Sequence, residues 1–295
     1  MSTTDATIVE PTIAAPVAQT RKPDRKLPAG SCDCHAHIFG PQDKYPYSPK
    51  RRYTPHDGPL DRYIALLGTL GIERGVLVQP STYMRDNTAL LDALALNRFP
   101  LRGVVVVTPE EVSDADLQRM DAIGVRGIRL NLRHENGAGA SAAMDLARRI
   151  APLGWHLQFR MNPEQFVDQQ DLLSGLPVPV VVDHIGQVPV EAGLDGPVFQ
   201  AMLQLLEKGR CWIKLSGPMR VSKQEFPYPD VTPFIHKLVA TRPDRLLWAT
   251  DWPHTTINKA MPNDGDLVDL LSSWIPDDAA LKKVLVDNPA EVYRF

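Results

Sequence analysis

The chain has 295 residues, 43% of them hydrophobic, with a formal net charge of -3 and a pI near 6.2. That is enough apolar material for one large core or two small ones, and the charge balance excludes a polycation built for nucleic acid or an anionic membrane. No apolar run approaches the roughly 20 residues of a membrane-spanning helix, and Cys32, Cys34 and Cys211 are too few for a disulfide framework, so a cytoplasmic protein is expected.

Residues 1–30 are rich in Pro, Thr and Ala, with Arg21, Lys22, Arg25 and Lys26 near the end. They lack an apolar signal core and read as a flexible N-terminal arm. Packing on a neighbouring subunit is the alternative, and the sequence leaves an oligomer open. Residues 31–39 read as a short strand carrying His35-Ala36-His37. Alternate residues of a strand share a side. The spacing therefore aims two imidazoles into one space, with Asp33 on the same row and Cys32 and Cys34 opposite as buried filler. Two such imidazoles can chelate a metal or polarise a carbonyl. A Pro- and Tyr-rich stretch follows over 41–59, containing Arg52 and Tyr53. A long structureless segment beside a candidate site predicts a lid.

From there the chain alternates. Runs rich in branched apolar residues occur at 75–79, 103–108, 127–132, 155–160, 178–184, 211–216 and 246–251. Short runs of this kind suit buried parallel strands. Between them, helical spacing appears at 60–70, 89–96, 113–123, 142–151, 163–173, 197–208, 231–240 and 265–274, with a last helix at 278–285. Counting 31–39, eight strands alternate with helices, which predicts an α/β fold, a (β/α)8 TIM barrel over 31–295 preceded by the arm. A doubly wound sheet is the alternative, weakened because no Gly-x-Gly-x-x-Gly follows a strand. The loose Gly137-Ala138-Gly139-Ala140 stretch reads as a flexible loop.

In such a barrel the active site lies at the C-terminal strand ends. Those ends carry His35 and His37; Gln79, Ser81 and Thr82; Thr108; Arg129 and Asn131; Gln158 and Arg160; Asp183 and His184; Lys214, Ser216 and Arg220; and Asp251 and His254. Asp251 is the natural general base for water. His184 and the His35/His37 pair can orient or polarise. Arg129, Arg160 and Arg220 suit carboxylate or sulfonate groups, because a guanidinium pairs bidentately. Tyr53, Ser81, Gln187 and His254 complete the candidate substrate-binding set. The rim looks built for a small anionic substrate attacked by water.

The set His35-x-His37, Asp183-His184-Ile185-Gly186 and Thr250-Asp251-Trp252-Pro253-His254 resembles the amidohydrolase superfamily. The Trp252-Pro253-His254 ending after Asp251 narrows the likeness to the branch of 2-pyrone-4,6-dicarboxylate lactonases, 4-sulfomuconolactone hydrolases and galactarolactone isomerases, and Phe39-Gly40-Pro41, Tyr47-Ser48-Pro49-Lys50 and Gly127-Ile128-Arg129 resemble the dicarboxylate lactonases. The resemblance implies hydrolysis of a small anionic lactone in aromatic catabolism. Asp251 would activate water, His35, His37 and His184 would surround the carbonyl, and Arg129 and Arg220 would hold acid groups. Isomerisation of a sugar-diacid lactone and metal-dependent decarboxylation are the alternatives. Two positions depart from the dicarboxylate lactonases, which carry arginine at Gln187 and tyrosine at Arg160; the altered charge layout suits a sulfonated or carboxylated muconolactone. The resemblance also implies either one divalent ion, zinc first, on His35, His37 and Asp251, or a metal-free site.

Overall fold

The computed structural model describes residues 9–133 and 137–295; the first eight residues of the expected arm lie outside the described residues. Eight strands are present: β1 Cys32–Ala36, β2 Arg74–Val78, β3 Leu101–Val105, β4 Val125–Asn131, β5 His156–Arg160, β6 Val180–Val182, β7 Cys211–Leu215 and β8 Leu246–Trp248. All seven neighbouring pairs are parallel and follow chain order. Helices connect them, so every strand is covered outside and its apolar run is buried on both faces. The first helix, Leu60–Leu70, buries Leu60, Tyr63, Leu66, Leu67 and Leu70 and ends at Gly71, whose φ of 74° turns the chain into β2. Among the described residues no helix is long and apolar enough to cross a membrane.

The seam between β8 and β1 closes the barrel. Asp251 N–H donates to His35 O at 3.0 Å, and His37 N–H to Trp252 O at 2.8 Å. Asp33 sits on this seam and accepts four hydrogen bonds. Thr250 N–H (3.0 Å) and His35 N–H (3.2 Å) reach Oδ1, and the hydroxyls of Thr250 (2.6 Å) and Tyr63 (3.0 Å) reach Oδ2. Burial pushes its carboxyl up to about 6, against those donors.

Inside the barrel lies a small apolar cluster drawn from β1, β2, β3, β6, β7 and β8: Cys32, Cys34, Val76, Val104, Val181, Trp212 and Leu247 among others, with Tyr293 below. The alternation expected across 33–37 therefore does not hold. The register of β1 shifts between Asp33 and Ala36, so Asp33 turns to the seam while Cys34 and His35 both reach the interior. A bulge of this kind re-aims side chains that a regular period of two would separate.

Most strands end earlier than expected: β1 stops at Ala36, β3 at Val105, β6 at Val182 and β8 at Trp248, and only β5 reaches its expected end at Arg160. Beyond β6 and β8, His184, Ile185 and Asp251 take φ of 52°, 54° and 66°, a left-handed region that non-glycine residues rarely occupy and that clusters at functional sites. The expected last helix divides into Asp278–Lys282, a π turn at Lys283–Asp287 and Asn288–Tyr293. Residues 9–30 of the arm run along the barrel wall. Arg21 pairs with Asp266 at 2.7 Å and with Asp269, whose Oδ1 also accepts the N–H groups of Asp24 and Arg25 at 2.9 Å each.

Asp33→Ala strands the buried N–H groups of His35 and Thr250. Its cost is expected to be about 2–5 kcal/mol, read as a lowered urea midpoint at unchanged slope. Asp33→Asn is expected to lose less than half of that, because the hydroxyls of Tyr63 and Thr250 can turn to accept from the new amide.

Candidate active site

The floor of the site is one buried carboxylate. Asp183, just past β6, accepts from Arg129 of β4 through Nε (3.1 Å) and the terminal nitrogen (2.9 Å), and from Gln158 Nε2 of β5 at 2.8 Å. His35 Nδ1 lies 3.2 Å away and Lys214 Nζ of β7 lies 3.6 Å away. Burial pushes the Asp183 carboxyl up, but His35, Arg129 and Lys214 outweigh it and hold it well below the carboxylate range. Lys214 is fully buried and donates to Gln158 Oε1 at 2.8 Å.

Two groups meet His35 Nδ1, the Asp183 carboxylate at 3.2 Å and Lys214 Nζ, a donor, at 3.3 Å, so this nitrogen does not by itself fix the tautomer. His37 Nδ1 lies 2.7 Å from Val78 O, a pure acceptor, so its Nε2 is bare. His35 Nε2 lies 3.3 Å from that bare nitrogen. His184 Nδ1 meets Ser216 Oγ at 3.0 Å, which can accept its proton in the same way. Gly217, at φ 60°, lets the chain turn under this imidazole; a Cβ there would sit 3.2 Å from His184 Nδ1. Burial lowers His35 and His184 to about 3 and His37 well below its ordinary value, so all three are neutral at pH 7.

Asp251 completes the cluster. Its Oδ2 accepts from Arg220 Nε at 2.7 Å. Its Oδ1 is buried without a hydrogen bond and lies 3.9 Å from His35 Nε2 and 3.8 Å from His184 Nε2. Burial raises this carboxyl, but Arg220, His184 and His35 prevail and keep it strongly acidic. His35, His184 and Asp251 present ligand atoms all within 4.8 Å of one another. The metal set expected from sequence had His37 in the place of His184; His37 stands beside this group. Two imidazole nitrogens and a carboxylate oxygen that converge suit a cation, so the donor set fits one metal ion.

Above the cluster is a cavity of about 200 Å³ lined by His37, Tyr53, Ser81, Arg129, Arg160 and Thr256, with Arg52 and Thr255. Wider spaces adjoin it. One of about 940 Å³ shares Arg52 and Ser81, and one of about 460 Å³ shares Arg160 and Thr256. Tyr53, Ser81 and Arg160 thus stand where the sequence puts them. Arg129 also lines the inner cavity but is engaged by Asp183, and Arg220 is engaged by Asp251 and by Thr255 O at 2.8 Å. Both guanidiniums are buried and take the nearest carboxylate as counter-charge. Gln187 accepts from Arg133 and lines the 460 Å³ space. His254 is buried on Asp264 at 2.9 Å and faces a separate cavity with Tyr53. Arg160 differs from the other arginines. Its Nε is buried without an acceptor, and no ion pair to it is formed among the described residues. Burial, then Arg129, Arg220 and Arg133, lower its guanidinium to about 9.

Arg52, Arg133 and Thr256 were not singled out from sequence, since loop positions carry no strand-end signal. Gln158, Asp183 and Lys214 were read as strand-end groups, without the network that joins them.

Comparison with known proteins places the chain in a family. The 4-sulfomuconolactone hydrolase of Rhizobium radiobacter is 38% identical over 290 residues, covering 96% of each chain. The 2-pyrone-4,6-dicarboxylate hydrolase of Comamonas testosteroni is 38% identical over 287 residues, covering 94% of each. A solved apo structure from Agrobacterium tumefaciens superposes with a TM-score of 0.84 at 28% identity, covering 92% of this chain and 98% of its own. The Amidohydrolase family model matches residues 32–295, and with it the chain belongs to the amidohydrolase family.

Proposed function

We propose that this protein is a lactone hydrolase that opens a small ring ester carrying acid groups, of the muconolactone or pyrone type met in aromatic catabolism. The observation that carries the reading is Asp251 Oδ1, a buried carboxylate oxygen with no hydrogen bond among the described residues, set between His35 and His184, with the neighbouring His37 lining a cavity that also holds Arg129 and Arg160. Relatives acting on 4-sulfomuconolactone and 2-pyrone-4,6-dicarboxylate support it.

The lactone enters the inner cavity with an acid group on Arg160, whose guanidinium forms no ion pair among the described residues. Ser81 and Tyr53 bound the ring. Arg220 grips Asp251 Oδ2 and leaves Oδ1 directed at water. Asp251 takes one proton as the water oxygen bonds to the carbonyl carbon. The ring C–O bond then breaks, and the proton on Asp251 passes to the departing oxygen. Water is consumed, one acid group and one hydroxyl or enol appear, and Asp251 is regenerated. His35, His184 and Asp251 would hold one divalent ion, zinc first, beside His37. Such an ion, when bound, supplies carbonyl polarisation and a water of lowered pKa.

Asp251→Asn is expected to keep the fold and the substrate while turnover falls about 10²–10⁴-fold. Wild-type turnover in the folded variant would remove Asp251 as the base. A product of unchanged mass would identify isomerisation instead, and release of carbon dioxide would identify decarboxylation.

Metal analysis of the purified protein is expected to find one divalent ion per chain, lost in His184→Ala and reduced in Asp251→Asn. A metal-free wild type of full activity would leave the histidines without this role.

Arg160→Gln is expected to raise KM for an acid-bearing lactone on the order of 30-fold or more, since truncating one side of a buried charge pair costs about 2 kcal/mol or more. An unchanged KM would take Arg160 out of the substrate's path.

A further inference from the structure

Arg52 and Tyr53 line the inner cavity, yet they lie on a loop whose only ladder contact is the bridge between Phe39 and Gly58. Something must hold that loop at its middle. Next along the chain is Thr54, which is 2% exposed. Its backbone groups are both taken by one residue of the N-terminal arm. Thr12 N–H donates to Thr54 O at 2.8 Å, and Thr54 N–H donates to Thr12 Oγ1 at 2.8 Å. A second clasp holds the start of the loop, where Val9 N–H donates to Gln42 Oε1 and Gln42 Nε2 donates to Val9 O, each at 3.0 Å. Ile13 and Ala14 then run beside Arg52, Tyr53 and His254 around a cavity of about 540 Å³.

The far part of the arm is moored to the barrel. Arg62 donates to Val17 O at 3.3 Å, Asn263 Nδ2 to Gln19 O at 3.2 Å, and Arg21 N–H to Asn263 Oδ1 at 2.9 Å. Arg21 and Arg25 continue the attachment on Asp266, Asp269 and Leu271 O. The arm is thus fixed to rigid elements at 17–25 and bridges from them to the loop at 9–12.

We propose that Thr12 is a positioning residue for substrate binding: it fixes the Thr54 backbone and thereby holds Arg52 and Tyr53 in the mouth of the inner cavity. The physical reason is that a buried peptide group needs partners. Those of Thr54 come from the arm, so the place of the loop depends on a segment distant in the barrel. On the opposite face the loop has its own contacts, Arg51 Nε to Thr54 Oγ1 at 2.9 Å and Ser48 N–H to Thr82 O at 3.0 Å. These hold the side chain of Thr54 and the preceding turn, and leave the Thr54 peptide groups to Thr12. The expected kinetic consequence rests on the lactone-hydrolase reading; the structural consequence does not.

The test uses the full chain with Thr12→Ala, Thr12→Ser and Gln42→Ala, read by hydrogen–deuterium exchange and by lactone kinetics. In Thr12→Ala the Thr54 amide loses its acceptor. Exchange across 50–57 is expected to quicken about 10-fold or more, with the barrel strands unchanged. KM is expected to rise about 10-fold while kcat stays within about 3-fold, because the loop acts on binding and leaves Asp251 in place. Thr12→Ser keeps the hydroxyl and is expected to restore both readings, and Gln42→Ala is expected to give a smaller rise of the same kind. Unchanged exchange across 50–57 in Thr12→Ala overturns the proposal whatever the substrate proves to be. So does a fall in stability of the whole barrel that Thr12→Ser fails to rescue. A wild type inactive on every lactone refutes the hydrolase reading alone, and the exchange data then decide the place of the arm by themselves.

Discussion

The site depends on the charge of Asp183. Taking a carboxylate out of water is costly unless its oxygens are well matched, and this one is met by Arg129, Gln158, His35 and Lys214, side chains of four different strands. With its own position past β6, the carboxylate ties five of the eight strands together at their upper ends. It also shares His35 Nδ1 with Lys214, at 3.2 Å and 3.3 Å, and so holds that imidazole in place beside His37. Removing the charge would leave Lys214 and Arg129 buried without the carboxylate they share, so the floor of the site stands or falls as a unit.

Much of this was legible in the sequence, because a parallel barrel gathers the ends of its strands on one rim. Reading those ends gave His35, His37, Arg160, Asp183, His184, Ser216 and Asp251 as neighbours before any coordinates. What the sequence did not carry was pairing across the barrel. Arg129 and Arg220 look alike as substrate clamps in a linear reading. Which carboxylate neutralises which guanidinium depends on distances between strands that a sequence does not encode. The same holds for the exchange of His184 for His37 in the ligand group, which turns on imidazole directions of a few ångströms. β1 shows a different limit. A period of two is a rule for regular strands, and one register shift between Asp33 and Ala36 sent Asp33 to the seam and Cys34 to the interior.

The left-handed residues mark where strand regularity gives way to chemistry. His184 and Asp251 both hold φ above 50°, at a cost of order 1–3 kcal/mol each that the surrounding fold must offset. The apolar runs over 178–184 and 246–251 read as strand to their ends, since composition says nothing of this strain. Its effect is to swing both side chains off the strand direction, so that His184 Nε2 and Asp251 Oδ1 come within 3.8 Å. Continued as regular strands, the two residues would have kept their side chains on their own rows.

Asp183 and Asp251 also show how one fold treats two buried carboxylates differently. Both are held ionised by neighbouring cations. Asp183 has every approach occupied, which suits a structural anchor. Asp251 has one oxygen gripped by Arg220 and the other left without a donor. The grip has a cost for catalysis, since a strongly acidic carboxyl is a weak base for water. It has a gain as well, because the open oxygen is held in one direction and needs no reorganisation when a proton arrives. A weak but fixed base suffices if the water is already acidified, and imidazole nitrogens around a carboxylate oxygen are a donor set that would suit a metal able to do that. The excess of cations points the same way for the substrate. Arg160 lines the inner cavity with no ion pair formed among the described residues, so the charge that they leave unbalanced is one that an acidic ligand supplies on arrival.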